Sequence, residues 1–282
     1  MAVFYNQANL SYRGLITTSN VTVGEIRSTL SITKTAVVET YEPGGTVTYA
    51  ISLTNGGAAL TGINVTDNLG AYTLGALTLV PLEYVSGSVR YYVNGTLTTP
   101  PTVNPGPPLS FTGLNIPAGA NVLILYEAQT NSFAPREAGA TITNTATVNS
   151  CTTGEGDTAT ETVSVLEEAE PSITKSLCPS TVICGEEMTY TFVIQNSGNT
   201  AVIATDDMII TDTFSPAFTT ISAAFNGTPL VRDTDYTYDE LTGEFATLPG
   251  ALVVPAATFA RAEDGSVIVT PGVSVLTVSG TV

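Results

Sequence analysis

The chain of 282 residues has two lysines, Lys34 and Lys175, and each stands where strand alternation groups it with apolar residues. Alternate residues of a strand share a face. Leu30, Ile32 and Lys34 share one phase, and Ile173 with Lys175 repeats it. Ile63, Val65, Asp67 and Leu69 form a second phase, matched by Met208, Ile210, Asp212 and Phe214. Ile142, Asn144, Ala146 and Val148 form a third, matched by Phe4, Asn6, Ala8 and Leu10. Twice over, one Lys, one Asp and one Asn are therefore expected to point into a core.

Burying an ammonium is costly, and desolvation lowers a Lys pKa while raising that of an Asp. A neutral Lys amine is a nucleophile, and a protonated Asp can polarise the carbonyl of an Asn side chain. Attack would expel ammonia and leave a Lys–Asn isopeptide bond. On this reading Lys34, Asp67 and Asn144 form one crosslinking set, and Lys175, Asp212 and Asn6 the other. The competing reading is a buried Lys–Asp ion pair with Asn hydrogen-bonded to it and no chemistry.

The spacing of the lysines, 175 − 34 = 141, is half the chain length and marks a repeat. Ser31-Ile32-Thr33-Lys34 recurs as Ser172-Ile173-Thr174-Lys175, Thr48-Tyr49 as Thr189-Tyr190, and Asn55-Gly56 as Asn196-Ser197-Gly198. Asn94-Gly95-Thr96 recurs as Asn226-Gly227-Thr228, and Pro117 through Ala128 pairs with Pro271 through Val282. Thr, Val, Gly, Asn and Ser dominate, and no window holds a helical period, so an all-β fold of short strands is expected. The first repeat continues beyond Ala128 with two more strands, 142–148 and 158–165; the second does not. Residues 4–10 and 19–23 resemble those closing strands without an owner. The expected organisation is an N-terminal donor-strand extension (1–28), β-sandwich one (29–166), a linker (167–171) and an incomplete β-sandwich two (172–282).

A sandwich without its last strands has an open edge that invites another chain. Residues 1–26, with Phe4, Asn6, Ala8, Leu10 and Tyr12 as the inward set, could fill that edge in a neighbouring subunit by donor-strand complementation. Folding back onto sandwich two of the same chain is the alternative, giving a monomeric adhesin or stalk module. It requires crossing sandwich one, on the order of 40 Å, with a short connector. The intersubunit form is heterologous and propagates as a filament of identical chains.

Composition narrows the field further. A net charge of -17 argues against nucleic acid and anionic membranes as partners. The lack of His removes the commonest general base and metal ligand, so neither an enzyme nor a metal or cofactor site is expected. No run of 18 apolar residues suggests membrane insertion, and no signal peptide is recognisable at the start. Cys178 and Cys184 flank a short segment and could pair, leaving Cys151 spare; three unpaired thiols are the other reading. Asp233, Asp235, Asp239 and Glu240 miss the spacing of a calcium loop and read as a hairpin with its turn near Asp239–Gly243.

The Ile-Thr-Lys start, the Gly45–Tyr49 strand, the Asn64–Asp67 strand and the Asn144–Val148 close resemble the bacterial surface repeat called domain of unknown function eleven. The resemblance implies immunoglobulin-like sandwiches in extracellular or cell-surface proteins, often stalks. The displaced closing strands depart from that pattern and are similar to subunits of self-assembling fibres or spore appendages.

Overall fold

A computed structural model of the chain describes residues 2–26, 29–149 and 157–282. Among them, regular structure is strand apart from one 3₁₀ turn at Ala204–Asp206. The chain forms two compact units: Met1–Ala134 with Thr141–Ser164, and Pro135–Ala140 with Val165–Val282. The boundary differs from the one expected at 166–172. Asn199 Nδ2 donates to the Arg136 and Leu166 carbonyls, and its Oδ1 accepts from Glu168 N, so both segments belong to unit two.

The N-terminal residues form a two-stranded antiparallel ribbon. β1 (Ala2–Asn6) pairs with β4 (Thr22–Ile26), and β2 (Asn9–Tyr12) pairs with β3 (Leu15–Thr18). Ala8 and Ser19 join the two stretches through Ser19 N to Ala8 O at 2.8 Å and Ala8 N to Ser19 Oγ at 2.9 Å. Arg13 (φ 48) and Gly14 (φ 80) make the tip, the two left-handed residues that suit the twist of a hairpin. Among the described residues the ribbon strands pair with one another alone, and Phe4, Tyr5, Leu10, Tyr12, Leu15 and Ile16 are at least half exposed.

Unit one stacks two sheets. Its strands are β5 (Leu30–Ala36), β6 (Thr40–Tyr41), β7 (Thr46–Asn55), β8 (Leu60–Asp67), β9 (Tyr72–Leu74), β10 (Leu77–Leu79), β11 (Leu82–Tyr84), β12 (Arg90–Val93), β13 (Thr96–Thr98), β14 (Thr102–Asn104), β15 (Leu109–Ile116), β16 (Asn121–Thr130), β17 (Thr141–Asn149) and β18 (Asp157–Val165). One sheet runs β13-β12-β16-β7-β5 and the other β14-β15-β8-β17-β18-β6. In chain order β5, β7, β8, β12, β16, β17 and β18 distribute as strands A, B, E, D against C, F, G, which is the immunoglobulin-like arrangement. Thr46–Asn55 and Asn121–Thr130 alternate inward and outward along their length, and Tyr49, Ile51, Leu53, Phe111 and Tyr126 fill the space between the sheets.

Unit two repeats half of this plan. It comprises β19 (Pro171–Cys178), β20 (Glu187–Asn196), β21 (Thr211–Thr213), β22 (Thr220–Phe225), β23 (Thr228–Pro229), β24 (Tyr236–Tyr238), β25 (Glu244–Thr247), β26 (Thr258–Arg261), β27 (Val267–Thr270) and β28 (Gly272–Thr281). One sheet runs β19-β20-β28-β22-β23 and matches β5-β7-β16-β12-β13 strand for strand. The other is only β21-β25-β24. In unit one β8 pairs with β15 on one side and β17 on the other; among the described residues β21 pairs with β25 alone. The core gathers Phe192, Phe214, Phe218, Phe245 and Val278, with the Phe214 and Phe218 rings 4.9 Å apart.

The last strand corrects one sequence alignment. Tyr126 lies opposite Tyr49, whereas Val278 lies opposite Tyr190, so in this ladder Tyr126 corresponds to Val278, two residues from the pairing expected from Pro117 and Pro271. The β26–β27 hairpin intervenes, and the carbonyl in the place of Pro117 is that of Pro255. Gly272 passes so close to Pro255 O that a Cβ there would sit 1.9 Å from it. The acidic cluster forms the expected hairpin of β24 and β25, its turn closed by Asp239 Oδ1 accepting from Leu241 N and Thr242 N. Cys178 and Cys184 are exposed and unjoined, and Cys151 lies outside the described residues.

A buried Asn ends β7 in unit one and β20 in unit two. Asn55 Nδ2 donates to the Ala58 and Pro117 carbonyls and its Oδ1 accepts from Gly57 N. Asn196 does the same with Thr200, Pro255 and Gly198. Replacing either with Ala leaves buried backbone groups unsatisfied and is expected to destabilise its unit by about 2–3 kcal/mol. The outward-facing Thr112→Ala should stay within about 0.5 kcal/mol. Urea unfolding checks this, and equal costs for Asn55→Ala and Thr112→Ala would contradict it.

Candidate functional site

Three strands of unit one bring the sequence-predicted residues together. β5 presents Lys34, the end of β8 presents Asp67 and β17 presents Asn144, all three buried. Lys34 Nζ donates to Asp67 Oδ2 at 2.5 Å, and neither side chain is exposed. Asp67 Oδ1 accepts from Leu69 N at 3.0 Å. Asn144 Oδ1 accepts from Gly70 N at 3.2 Å. Gly70 is fixed by its φ of +71 and by Ile142, whose Cγ2 would lie 2.5 Å from an added Cβ.

Sequence reasoning missed the group that joins the acid to the amide. Tyr126 on β16 donates its hydroxyl to Asp67 Oδ2 at 2.7 Å and accepts from Asn144 Nδ2 at 3.1 Å. The Lys34 ammonium also lies 4.7 Å from the Tyr49 ring centroid, within cation–π range. The signal was present in the alternation of Val122, Ile124, Tyr126 and Ala128, which places a polar tip in the core phase.

Burial pulls Lys34 down from 10.5 to about 8, against the opposing pull of the Asp67 charge. Burial first, then the Asp67 charge, pushes the Tyr49 and Tyr126 phenols up, so both remain neutral hydroxyls. A neutral fraction of the amine is therefore accessible close to physiological pH. The arrangement sets an amine of lowered pKa beside a carboxylate, together with an amide whose oxygen faces a backbone N–H.

Unit two holds half of the same site. Lys175 Nζ bonds Asp212 Oδ2, and the ammonium lies 4.2 Å from the Tyr190 ring centroid, close to Phe192 and Phe214. Contrary to the inward burial expected of it, the Lys175 side chain is 38% exposed, and that of Asp212 is 18% exposed. The cause is the uncovered strand pair. Leu30 and Lys34 on β5 are buried, whereas no residue of β19 is, and Ile173 is half exposed. Between β19 and β21 an opening of ≈ 260 Å³ is lined by Ile173, Ile194, Met208 and Ile210, among others. A second, of ≈ 480 Å³, runs by Asp212, Phe245 and Thr237. Asn6, expected to complete this set, sits in the ribbon opposite Thr22. Among the described residues no cluster of metal-binding side chains occurs.

No family model matches the chain, and no curated protein does. Among solved structures, the chain is similar to BcpA, the major pilin subunit of Bacillus cereus, at 14% identity and a TM-score of 0.35, over 95% of this chain and 73% of that one. It is similar to the pilus backbone RrgB of Streptococcus pneumoniae at 12% identity and a TM-score of 0.35, over 86% of this chain and 55% of that one. It is also similar to the collagen-binding domain of a Staphylococcus aureus adhesin, at 12% identity and a TM-score of 0.32, over 50% of this chain and 99% of that domain. Likeness at this level says nothing about what this chain binds or builds.

The lowered Lys34 pKa has a testable sign. Between about 8 and 10.5 the unfolded chain binds more protons than the folded one at this group, so stability rises with pH there. The slope approaches about 1.4 kcal/mol per pH unit. It is best followed below pH 10, before tyrosines ionise, by urea unfolding of an Asn144→Ala variant, which leaves Lys34 no amide to react with. Lys34→Met in the same background should remove the rise. A curve that falls or stays flat from pH 8 to 9.5 with Lys34 present would contradict the assignment.

Proposed function

We propose that this chain is the structural subunit of an extracellular filament. It polymerises head to tail when the N-terminal ribbon of one copy closes unit two of the next. The observation that supports this reading is the difference between the two units. In unit one β17 pairs with β8 and the Lys34–Asp67 pair is covered; in unit two, among the described residues, β21 lacks that neighbour and Lys175–Asp212 stands open. The ribbon has the required form, being an antiparallel pair as β17 and β18 are.

The register follows by analogy. In unit one Ala146 lies opposite Asp67 and Val148 opposite Val65. The same spacing sets Ala8 opposite Asp212 and Leu10 opposite Ile210 of the next copy, with Phe4, Asn6 and Tyr12 in the same inward phase. Asn6 then precedes Ala8 by two residues, as Asn144 precedes Ala146, and reaches Lys175. An isolated two-stranded ribbon is marginal in water, and its exposed apolar side chains favour docking. The contact is heterologous and so extends into a chain of subunits.

Covalent locking follows from the chemistry of the site. Lys34 passes a proton to Asp67, its neutral amine attacks Asn144 Cγ, and the Cγ–Nδ2 bond breaks to release ammonia, leaving an amide between the side chains. Gly70 N–H faces the oxygen on which negative charge develops. In the assembled filament Lys175, Asp212 and Asn6 of the neighbour carry out the same exchange, and Cys178 and Cys184 stay outside it. A cell or spore surface is the corresponding location. Among the described residues no helix is long and apolar enough to cross a membrane.

Wild-type protein boiled in denaturant with reductant is expected to run as a ladder of multimers. Deleting residues 2–12 should leave monomer alone. Lys175→Ala should still assemble at native conditions and fall apart on boiling. A wild-type chain that is monomeric in both native and boiled samples would overturn the filament and favour a monomeric surface module.

A further inference from the structure

The crosslinking reaction has to deliver a proton to the departing nitrogen, and a route for that proton is already laid through unit one. Amide nitrogen is a poor leaving group, and Nδ2 of Asn144 must leave as ammonia. In the resting site Lys34 Nζ, Asp67 Oδ2, the Tyr126 hydroxyl and Asn144 Nδ2 form an unbroken series at 2.5, 2.7 and 3.1 Å. The series begins at the atom that loses a proton and ends at the atom that needs one.

We propose that the Tyr126 hydroxyl is the catalytic proton carrier of this site, passing the proton that Lys34 gives to Asp67 on to the leaving nitrogen of Asn144. The assignment rests on the isopeptide reading above. Before attack, the planar amide nitrogen has no basic lone pair and donates to Tyr126, as the structure records. Once Lys34 Nζ bonds to Cγ, the carbon becomes tetrahedral and Nδ2 becomes an amine that accepts. Tyr126 then donates to Nδ2 while taking the proton held on Asp67. The Cγ–Nδ2 bond breaks with its electron pair leaving on ammonia, and the Cγ–O double bond reforms as charge withdraws from the Gly70 N–H. Lys34 Nζ, now bonded to carbon, still carries one proton more than an amide holds. The emptied Asp67 carboxylate takes it and yields it to the departing ammonia, which leaves as ammonium, so Asp67 ends as the carboxylate it was at the start. No oxidant, reductant or metal enters the balance.

The second unit supplies an internal contrast. Its ladder places Val278 where unit one has Tyr126, so the bridging hydroxyl is absent there. The turn after the acid also differs: Leu69 N donates to Asp67 Oδ1, whereas Phe214 N donates to the Gly243 carbonyl. Bond formation at Lys175 is therefore expected to be slower than at Lys34, which would let subunits dock before they lock.

The test follows ammonia loss by intact mass during cell-free synthesis of the full chain, with peptide mapping to assign the bond to Lys34 and Asn144. The wild type should complete this bond quickly and Asn144→Ala should never form it. Tyr126→Phe should retain the fold by circular dichroism and form the bond on the order of 100-fold more slowly. A fluorinated tyrosine at position 126 keeps the shape but acidifies the hydroxyl, so it should shift the pH dependence of the rate; this arm decides the matter if Tyr126→Phe folds poorly. A wild type that loses no ammonia would sink the isopeptide reading itself. A wild type that reacts while both Tyr126 variants match its rate and pH profile would overturn the proton-carrier assignment alone.

Discussion

A lysine ammonium held against a carboxylate inside a β-sandwich sets the terms for the rest of this structure. Such a pair is tolerable in low dielectric only when its remaining hydrogen bonds are met and water is kept out. Unit one meets both conditions. Leu69 N and the Tyr126 hydroxyl complete Asp67, the Tyr49 ring flanks Lys34, and β17, paired with β8, brings Asn144 to the Tyr126 hydroxyl. Unit two carries the same pair, with the Tyr190 ring in the place of Tyr49, but among the described residues no strand lies on the open edge of β21, and its lysine is exposed. One difference between the units, the strand β17 beside β8 with no described counterpart beside β21, is visible at the ammonium group: Lys34 is buried and Lys175 is exposed.

The ribbon presents the complementary problem. Its strands satisfy each other's backbone groups, and Arg13 with Gly14 gives the turn the twist that strands prefer. Yet Phe4, Leu10, Tyr12, Leu15 and Ile16 are at least half exposed. A hairpin already formed loses less chain entropy on docking than a disordered strand would. Under the proposed assembly, the exposed ribbon of one copy would cover the open edge of unit two in the next.

Much of this was legible in the residues because it depends on period-two alternation and repetition. Ser31–Lys34 against Ser172–Lys175 marked equivalent strands, and the phases of Asp67 and Asn144 placed them inward, where the structure has them. Three features escaped. Tyr126 was not recognised as part of the site, because nothing in a strand pattern says which inward hydroxyl will meet which carboxylate across two sheets. The correspondence of Tyr126 with Val278 was displaced by two residues, because the β26–β27 hairpin is an insertion that sequence matching slid past. The exposure of Lys175 was missed because alternation reports which way a side chain points, and burial also needs something on the other side.

The central claim is that the open site of unit two is completed by the ribbon of a different copy. The most direct measurement mixes chains grown with heavy and ordinary nitrogen, lets them assemble, and maps the digested product for a branched peptide joining the Asn6 segment to the Lys175 segment. The account predicts branched peptides in which one arm is heavy and the other ordinary. Branched peptides whose two arms always carry the same label would place the ribbon on its own chain, and the absence of any Asn6–Lys175 peptide would remove the covalent link between subunits.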